Sequence, residues 1–222
     1  MKIEHTPNLL AIIDDDESVQ SALKDLIESE GMSALSFDTA EHFLDSGTRH
    51  KVACLIADVR MPGMSGIELQ ANLKSERCRI PIIFITGRGD IPLAVSAMKE
   101  GASDFFTKPV DGAVLLNSVE RALQQNLANR RKATERANLV ARYESLTPRE
   151  REVLPLLTSG LLNKQVAFEL GITEWTVQLH RGHIMRKMQA DSFAGLVRMA
   201  DKLGPDHQRP YWYYPRPLLR TT

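Results

Sequence analysis

Three consecutive aspartates, Asp14, Asp15 and Asp16, follow a short apolar run, and single polar residues follow three later ones: Asp58, Thr86 and Lys108. Carboxylates gathered in one place repel, and either raised pKa values or a bound cation must relieve them. A hard divalent ion is the simpler relief. Mg²⁺ asks for octahedral oxygen ligands, keeps some of its water, and takes one or two carboxylates plus phosphate oxygens, which this group could supply. A lysine adds compact positive charge and a threonine adds a hydroxyl. Such parts suit phosphoryl transfer, in which positioning and charge neutralisation do most of the work. A carboxylate can serve there as the nucleophile, forming an aspartyl phosphate. Taken singly, each residue has a plainer use, since aspartate favours helix caps and loops and Asp58 could be a turn residue before Met61-Pro62-Gly63. Separate strands that each end on a polar residue nonetheless mark out a site.

Apolar runs at 8–13, 33–37, 52–57, 80–85 and 103–107 read as five strands, and helical spacing follows most of them, as in Val19, Leu23, Leu26 and Ile27. Further helical patterns fall near 40–44, 67–73 and 93–99. Strands that alternate with amphipathic helices predict an α/β fold, a (βα)5 doubly wound parallel sheet covered on both faces. Right-handed crossovers put every strand's carboxyl end on one edge, so Asp14, Asp15, Asp58, Thr86 and Lys108 should meet in the crevice where such sheets bind ligands.

From 113 to 147 neither glycine nor proline interrupts the chain, and Leu115, Leu116, Val119, Leu123 and Leu127 mark one stripe, so a helix could run on into a charged connector. Thr147, Pro148 and Glu150 then form a helix start. That helix should end near Ser159, with a bend at Pro155. Asn163 is expected to cap the next helix, Gly171 to terminate it, and Thr173 to cap a third that reaches about Met188. Two short helices across a tight glycine turn form a helix-turn-helix, whose second member can enter the DNA major groove. Val177, Ile184 and Met188 should face inward. A fourth helix is expected at 192–203. The alternative use of the basic face is protein contact.

The charge of the chain is divided in the same way. Lys plus Arg and Asp plus Glu number 28 each, yet 1–124 holds 12 basic and 19 acidic residues while 125–222 holds 16 and 9. Such asymmetry points to a basic segment that meets a polyanion, joined to a part with another task. A hydrophobic content of 43% and a charged content of 25% exclude a disordered or collagen-like chain. Cys54 and Cys78 lack metal-ligand spacing, and a reduced compartment is expected. Apolar runs of about five residues suggest neither a signal peptide nor a membrane span, so the expected location is cytoplasmic.

Ile12-Ile13-Asp14-Asp15-Asp16, Asp58-Val59-Arg60-Met61-Pro62-Gly63-Met64-Ser65-Gly66, Thr86-Gly87 and Lys108-Pro109, in that order within 7–126, resemble the receiver domain of two-component response regulators. The resemblance implies that a sensor histidine kinase phosphorylates Asp58. It further implies that Asp14, Asp15, Asp58 and the Arg60 backbone carbonyl hold Mg²⁺, and that Lys108 contacts the phosphoryl group. The Lys108–Pro109 bond would be cis, and Thr86 and Phe105 would form the switch. Arg60 and Arg88, each two residues beyond a site residue, are expected to shield the acyl phosphate from water.

Residues 146–154, Asn163-Lys164-Gln165-Val166-Ala167 and Thr176-Val177-Gln178-Leu179-His180-Arg181 resemble the LuxR/NarL-type DNA-binding domain, over about 143–203. Joined to the receiver, the whole is similar to FixJ-like regulators. By that resemblance Gln178, Leu179 and Arg181 lie near bases, and Lys164, Trp175 and Lys187 near the backbone, with Thr173 and Thr176 in the same DNA-binding set. Gly182 departs from relatives that carry a basic residue there. The implied organisation is a receiver at 7–126, a helical linker at 127–142, the DNA-binding domain at 143–203 and a Pro/aromatic tail at 204–222.

The implied protein is a regulator whose only catalysis is its own phosphorylation and dephosphorylation. Its implied partners are the kinase, double-stranded promoter DNA, RNA polymerase and, once phosphorylated, a second copy of itself, with transcription more often activated than repressed. Two rivals stand beside this reading. An aspartate-nucleophile phosphatase or dehalogenase wants Asp-x-Asp, which Asp58-Val59-Arg60 lacks. A DNA binder with a vestigial receiver would be indifferent to Asp58→Ala.

Overall fold

The computed structural model describes residues 8–87 and 91–204, and the chain divides into two compact units, 1–130 and 131–222. Arg88 and nearly all of the Pro/aromatic tail lie outside the described residues. In the first unit β1 (Leu9–Ile13), β2 (Ser33–Phe37), β3 (Cys54–Asp58), β4 (Ile82–Thr86) and β5 (Asp104–Thr107) form one sheet. All pairings are parallel, in the order β2-β1-β3-β4-β5. Helices α1 (Glu17–Ser29), α2 (Ala40–Asp45), α3 (Gly66–Ser75), α4 (Ile91–Lys99) and α5 (Gly112–Glu144) alternate with the strands. The expected (βα)5 sheet is therefore present.

Its strands are near-continuous apolar runs because both faces are covered. The two-residue period of a strand sends Leu10, Ile12, Cys54, Ile56, Ile83 and Ile85 to the face packed by Leu23 and Ile27 of α1 and by Leu115, Val119 and Ala122 of α5. The alternate residues Ala11, Ile13, Leu55, Ala57 and Phe84 pack on Phe43 of α2, Leu69 and Leu73 of α3, and Ala97 of α4. Asn126 Nδ2 donates to the Ala53 carbonyl at 2.6 Å and Arg130 Nη2 to that of Val52 at 2.8 Å, which ties α5 to the leading end of β3.

The second unit takes residues 131–144 of α5, then α6 (Pro148–Thr158), α7 (Asn163–Leu170), α8 (Glu174–Met188) and α9 (Phe193–Leu203). One core unites them: Leu139, Val153, Leu157, Val166, Val177, Ile184, Met188, Leu196 and Leu203 are all buried in it. α6 begins as its sequence requires, with the Thr147 hydroxyl accepting from the Glu150 N–H and the Glu150 carboxylate from the Thr147 N–H. The helix continues through Pro155, which is buried with Leu154, Leu156 and Leu157.

The cap expected at Asn163 lies one residue earlier. Leu162 holds the cap position, at φ −69° and ψ 152°, and Asn163 is the first helical residue. Gln165 displaces the boundary: its Oε1 accepts the Leu162 N–H at 2.8 Å, the reciprocal half of a capping box whose other half leucine has no oxygen to make. Gly171 ends α7 in the left-handed region at φ 63°, where a side chain would be strained. The Thr173 hydroxyl then caps α8 by accepting the Thr176 N–H.

Candidate functional site

Register explains how distant residues converge. Ile13 lies beside Ala57, Asp58 beside Ile85 and Thr86 beside Thr107, so β1, β3, β4 and β5 end level with one another. The strand order reverses between β1 and β3, which opens a crevice at their carboxyl ends. Asp14, Asp15 and Asp58 offer oxygens within 4.8 Å of one another at that edge. Asp14 and Asp58 are buried, and Asp15 is exposed.

Lys108 holds the buried pair together. Its Nζ donates to Asp14 Oδ2 at 2.6 Å and to Asp58 Oδ2 at 2.8 Å. The remaining oxygens face backbone donors: Asp14 Oδ1 accepts from the Asp16 N–H, and Asp58 Oδ1 from the Arg60 N–H at 3.0 Å. Burial raises the Asp14 pKa against the opposing pull of Lys108 and the Asp16 N–H, and the Asp58 charge adds to the rise. Burial depresses the Lys108 ammonium, yet its bonds to the two carboxylates outweigh that and raise its pKa. A single ammonium thus bridges two carboxylates and leaves the crevice net negative, before the charge of Asp15 is added.

The third aspartate of the run has a different task. Asp16 caps α1 by accepting from the Ser18 and Val19 N–H groups, and these bonds, led by the Ser18 hydroxyl, lower its pKa. Thr86 is buried at the end of β4. Phe105 is half-buried on β5, its ring 6.2 Å from that of Phe84. The Lys108–Pro109 peptide is cis. Arg60 is exposed beside the crevice, and its proposed shielding partner Arg88 lies outside the described residues.

Gly66 reads from the sequence only as the end of a motif, with no role of its own. A β-carbon there would sit 2.3 Å from the Asp58 carbonyl oxygen and 3.0 Å from the Phe84 ring, so only glycine lets α3 start against the end of β3. Glu41 fixes the same loop, its Oε1 accepting the Met64 N–H at 2.7 Å. The closing Gly of Pro62-Gly63-Met64-Ser65-Gly66 was the available signal.

In the second unit, α8 presents Trp175, Gln178, Leu179, Gly182 and Arg186 along one exposed stripe, opposite buried Val177, Ile184 and Met188. Trp175 is 71% exposed, and Lys164 on α7 is also exposed. A β-carbon at Gly182 would meet nothing within 4 Å. The other residues expected on this face are held by the fold. Thr173 and Thr176 share a hydroxyl bond at 2.7 Å inside the helix cap. The Arg181 guanidinium lies 4.3 Å from the Phe193 ring centroid. Lys187 Nζ donates to Glu150 Oε2 at 2.6 Å, with His183 Nδ1 3.6 Å from the same carboxylate. Burial pushes the Glu150 pKa up, but Lys187 and Thr147 more than offset it, and the net shift is downward.

Residues 10–120 match the family described as response regulator receiver domain, and 144–200 match bacterial regulatory proteins, luxR family. The chain is 44% identical over 199 residues to Nodulation protein W of Bradyrhizobium diazoefficiens, covering 90% of this chain and 88% of that one. It is 47% identical over 196 residues to Response regulator protein TodT of Pseudomonas putida, covering 88% and 86%. Among solved structures, the response regulator StyR aligns at 45% identity with a TM-score of 0.81, covering 87% of this chain and 98% of that one. Full-length FixJ from B. japonicum aligns at 40% identity with a TM-score of 0.53, covering 89% and 97%.

Proposed function

Because the chain belongs to the LuxR-family response regulators, which join a receiver to a helix-turn-helix DNA-binding domain, we propose that phosphorylation of Asp58 controls its grip on promoter DNA. The donor is the phosphohistidine of a sensor kinase. An Asp58 carboxylate oxygen attacks phosphorus, the imidazole nitrogen departs with the bonding pair, and an acyl phosphate forms. Lys108 is the residue poised for this chemistry. In the resting crevice its ammonium bridges Asp14 and Asp58, and it can follow the charge from the Asp58 carboxylate to a phosphoryl oxygen without leaving the site. The Thr86 hydroxyl donates to another phosphoryl oxygen, and the half-buried Phe105 fills the space it leaves.

The donor set fits Mg²⁺: two buried carboxylates and one exposed carboxylate are hard oxygens, to which the Arg60 backbone carbonyl would add a fourth. When bound, the ion neutralises phosphoryl charge. The receiver at 7–126 then accepts the group, and 143–203 reads DNA from within a phosphorylation-dependent homodimer, with paired half-sites as the symmetry consequence. Gln178 and Leu179 face base edges, with Arg181 beside them, while Lys164, Trp175 and Thr176 meet the backbone. Thr173 and Lys187 serve this surface by fixing α8. The bound dimer recruits RNA polymerase, and the protein works in the cytoplasm. Among the described residues no helix is long and apolar enough to cross a membrane.

The observation that carries this reading is the Lys108 bridge between two buried carboxylates at the ends of β1 and β3. Radiolabelled acetyl phosphate should mark the wild-type chain and leave Asp58→Asn unmarked, and wild type alone should bind promoter DNA more tightly after treatment. Label retained by Asp58→Asn would overturn it.

A further inference from the structure

The first unit holds a cavity that phosphoryl chemistry does not use. It measures about 450 Å³ and lies at the leading ends of β4 and β5, the opposite edge of the sheet from Asp58. Half-buried Cys78, Ile80 and Pro81 give it an apolar wall, backed by Leu73 and Ile82, which are almost fully buried. Gln70 lines it at 6% exposure. Its Nε2 donates to the Ala97 carbonyl, while its Oε1 has no hydrogen-bond partner.

The mouth is basic, although this half of the chain is acidic overall. Lys74 is paired with Glu100 at 2.7 Å, but among the described residues Arg77 and Arg79 have no ion-pair partner. Arg77 is also conformationally out of place. Its φ is +58°, in the turn that ends α3, where its N–H reaches the Lys74 carbonyl and that of Cys78 reaches Leu73. Glycine is the usual residue in such a turn because a β-carbon crowds the left-handed backbone. At every other positive-φ position described in this unit the chain does use glycine: Gly31, Gly47, Gly63 and Gly101. An arginine kept at this cost points to a role for its side chain.

We propose that this cavity binds a small carboxylic acid with an apolar body. Its carboxylate would take charge-assisted bonds from Arg77 and Arg79. Its body would lie on Ile80 and Pro81, above the buried Leu73 and Ile82. A bare phosphate would satisfy the arginines and leave the apolar wall unused.

Cys78 lines the same cavity and supplies the readout. Cys54, the other thiol, is fully buried and its pKa is pushed up to about 12, so alkylation by N-ethylmaleimide reports Cys78. With the full-length protein, cyclohexanecarboxylate should slow that alkylation saturably, by about tenfold at ten times its Kd. Its neutral isostere cyclohexylmethanol should not, and inorganic phosphate, which can meet the arginines alone, should slow it far less. Arg79→Gln should weaken protection about tenfold. Arg77→Gly should weaken it similarly while raising the melting temperature, since glycine relieves the backbone. Absence of protection by the carboxylate, equal protection by either control, or full protection in Arg77→Gly would each overturn the proposal.

Discussion

Replacing Glu150 with glutamine separates the folding role of α8 from its reading role. The carboxylate is 2% exposed and accepts from the Thr147 N–H at 2.8 Å and from Lys187 Nζ at 2.6 Å. Glutamine keeps the shape and one acceptor oxygen but removes the charge, so Lys187 loses its ion pair and donates to an amide oxygen, while the Thr147 N–H bond falls from about 1.5–3 kcal/mol to about 1 kcal/mol. Lys187 retains 30% of its side-chain exposure and recovers part of the loss from water. The expected cost to the second unit is about 1–2 kcal/mol. Trp175 lies in that unit and the sequence of 1–130 contains no tryptophan, so urea unfolding followed by tryptophan fluorescence reads it selectively. The pH dependence fixes the cause. The Glu150 pKa is depressed in the folded state from the ordinary value of 4.5, so its contribution is full above that value and is lost as pH falls through the folded pKa. Wild type and Glu150→Gln should therefore differ at pH 7 and converge in acid. A difference independent of pH, or none at pH 7, would refute the reasoning.

Two further substitutions test the sites from their glycines. Gly66→Ala must push the Asp58 carbonyl or the start of α3 aside, which should destabilise the first unit by about 1–3 kcal/mol and slow labelling by acetyl phosphate; unchanged melting and labelling would show that the loop gives way freely. Gly182→Lys meets open space on the exposed stripe of α8. It should stabilise the helix by about 0.5–1 kcal/mol and steepen the salt dependence of DNA binding by about one unit of slope, a result to be read from affinities across a salt series. An unaltered slope would remove that face of α8 from the phosphate contacts.

Much of this was legible in the sequence because it is local. A strand's two-residue period and a helix's 3.6-residue period are set by backbone geometry, so the five strands and the inward face of Val177, Ile184 and Met188 followed from apolar spacing alone. Strand-end placement of Asp14, Asp58 and Thr86 followed from the same runs. What escaped were facts fixed by close approach between distant segments. Gly66 reads as one more loop glycine until α3 is seen to start against the Asp58 carbonyl. The cap of α7 moved to Leu162 because the decisive oxygen belongs to Gln165, on the far side of the residue that composition favours.

Charge shows the same limit most sharply. Resemblance of motif placed Arg181 near bases and Lys187 near the DNA backbone, but a motif cannot see partners. Lys187 is engaged by a carboxylate 37 residues away in sequence, and Arg181 is stacked on Phe193. A phosphate would have to compete with Glu150 for the first of these, and with a cation–π contact for the second. Cations that already neutralise protein groups release fewer counterions on binding, so the salt slope of the DNA complex should fall short of the number of lysines and arginines on the helix. Lys187→Ala should then lower the stability of the second unit and leave that slope nearly unchanged, whereas Lys164→Ala, on the exposed face of α7, should flatten the slope by about one and leave stability intact.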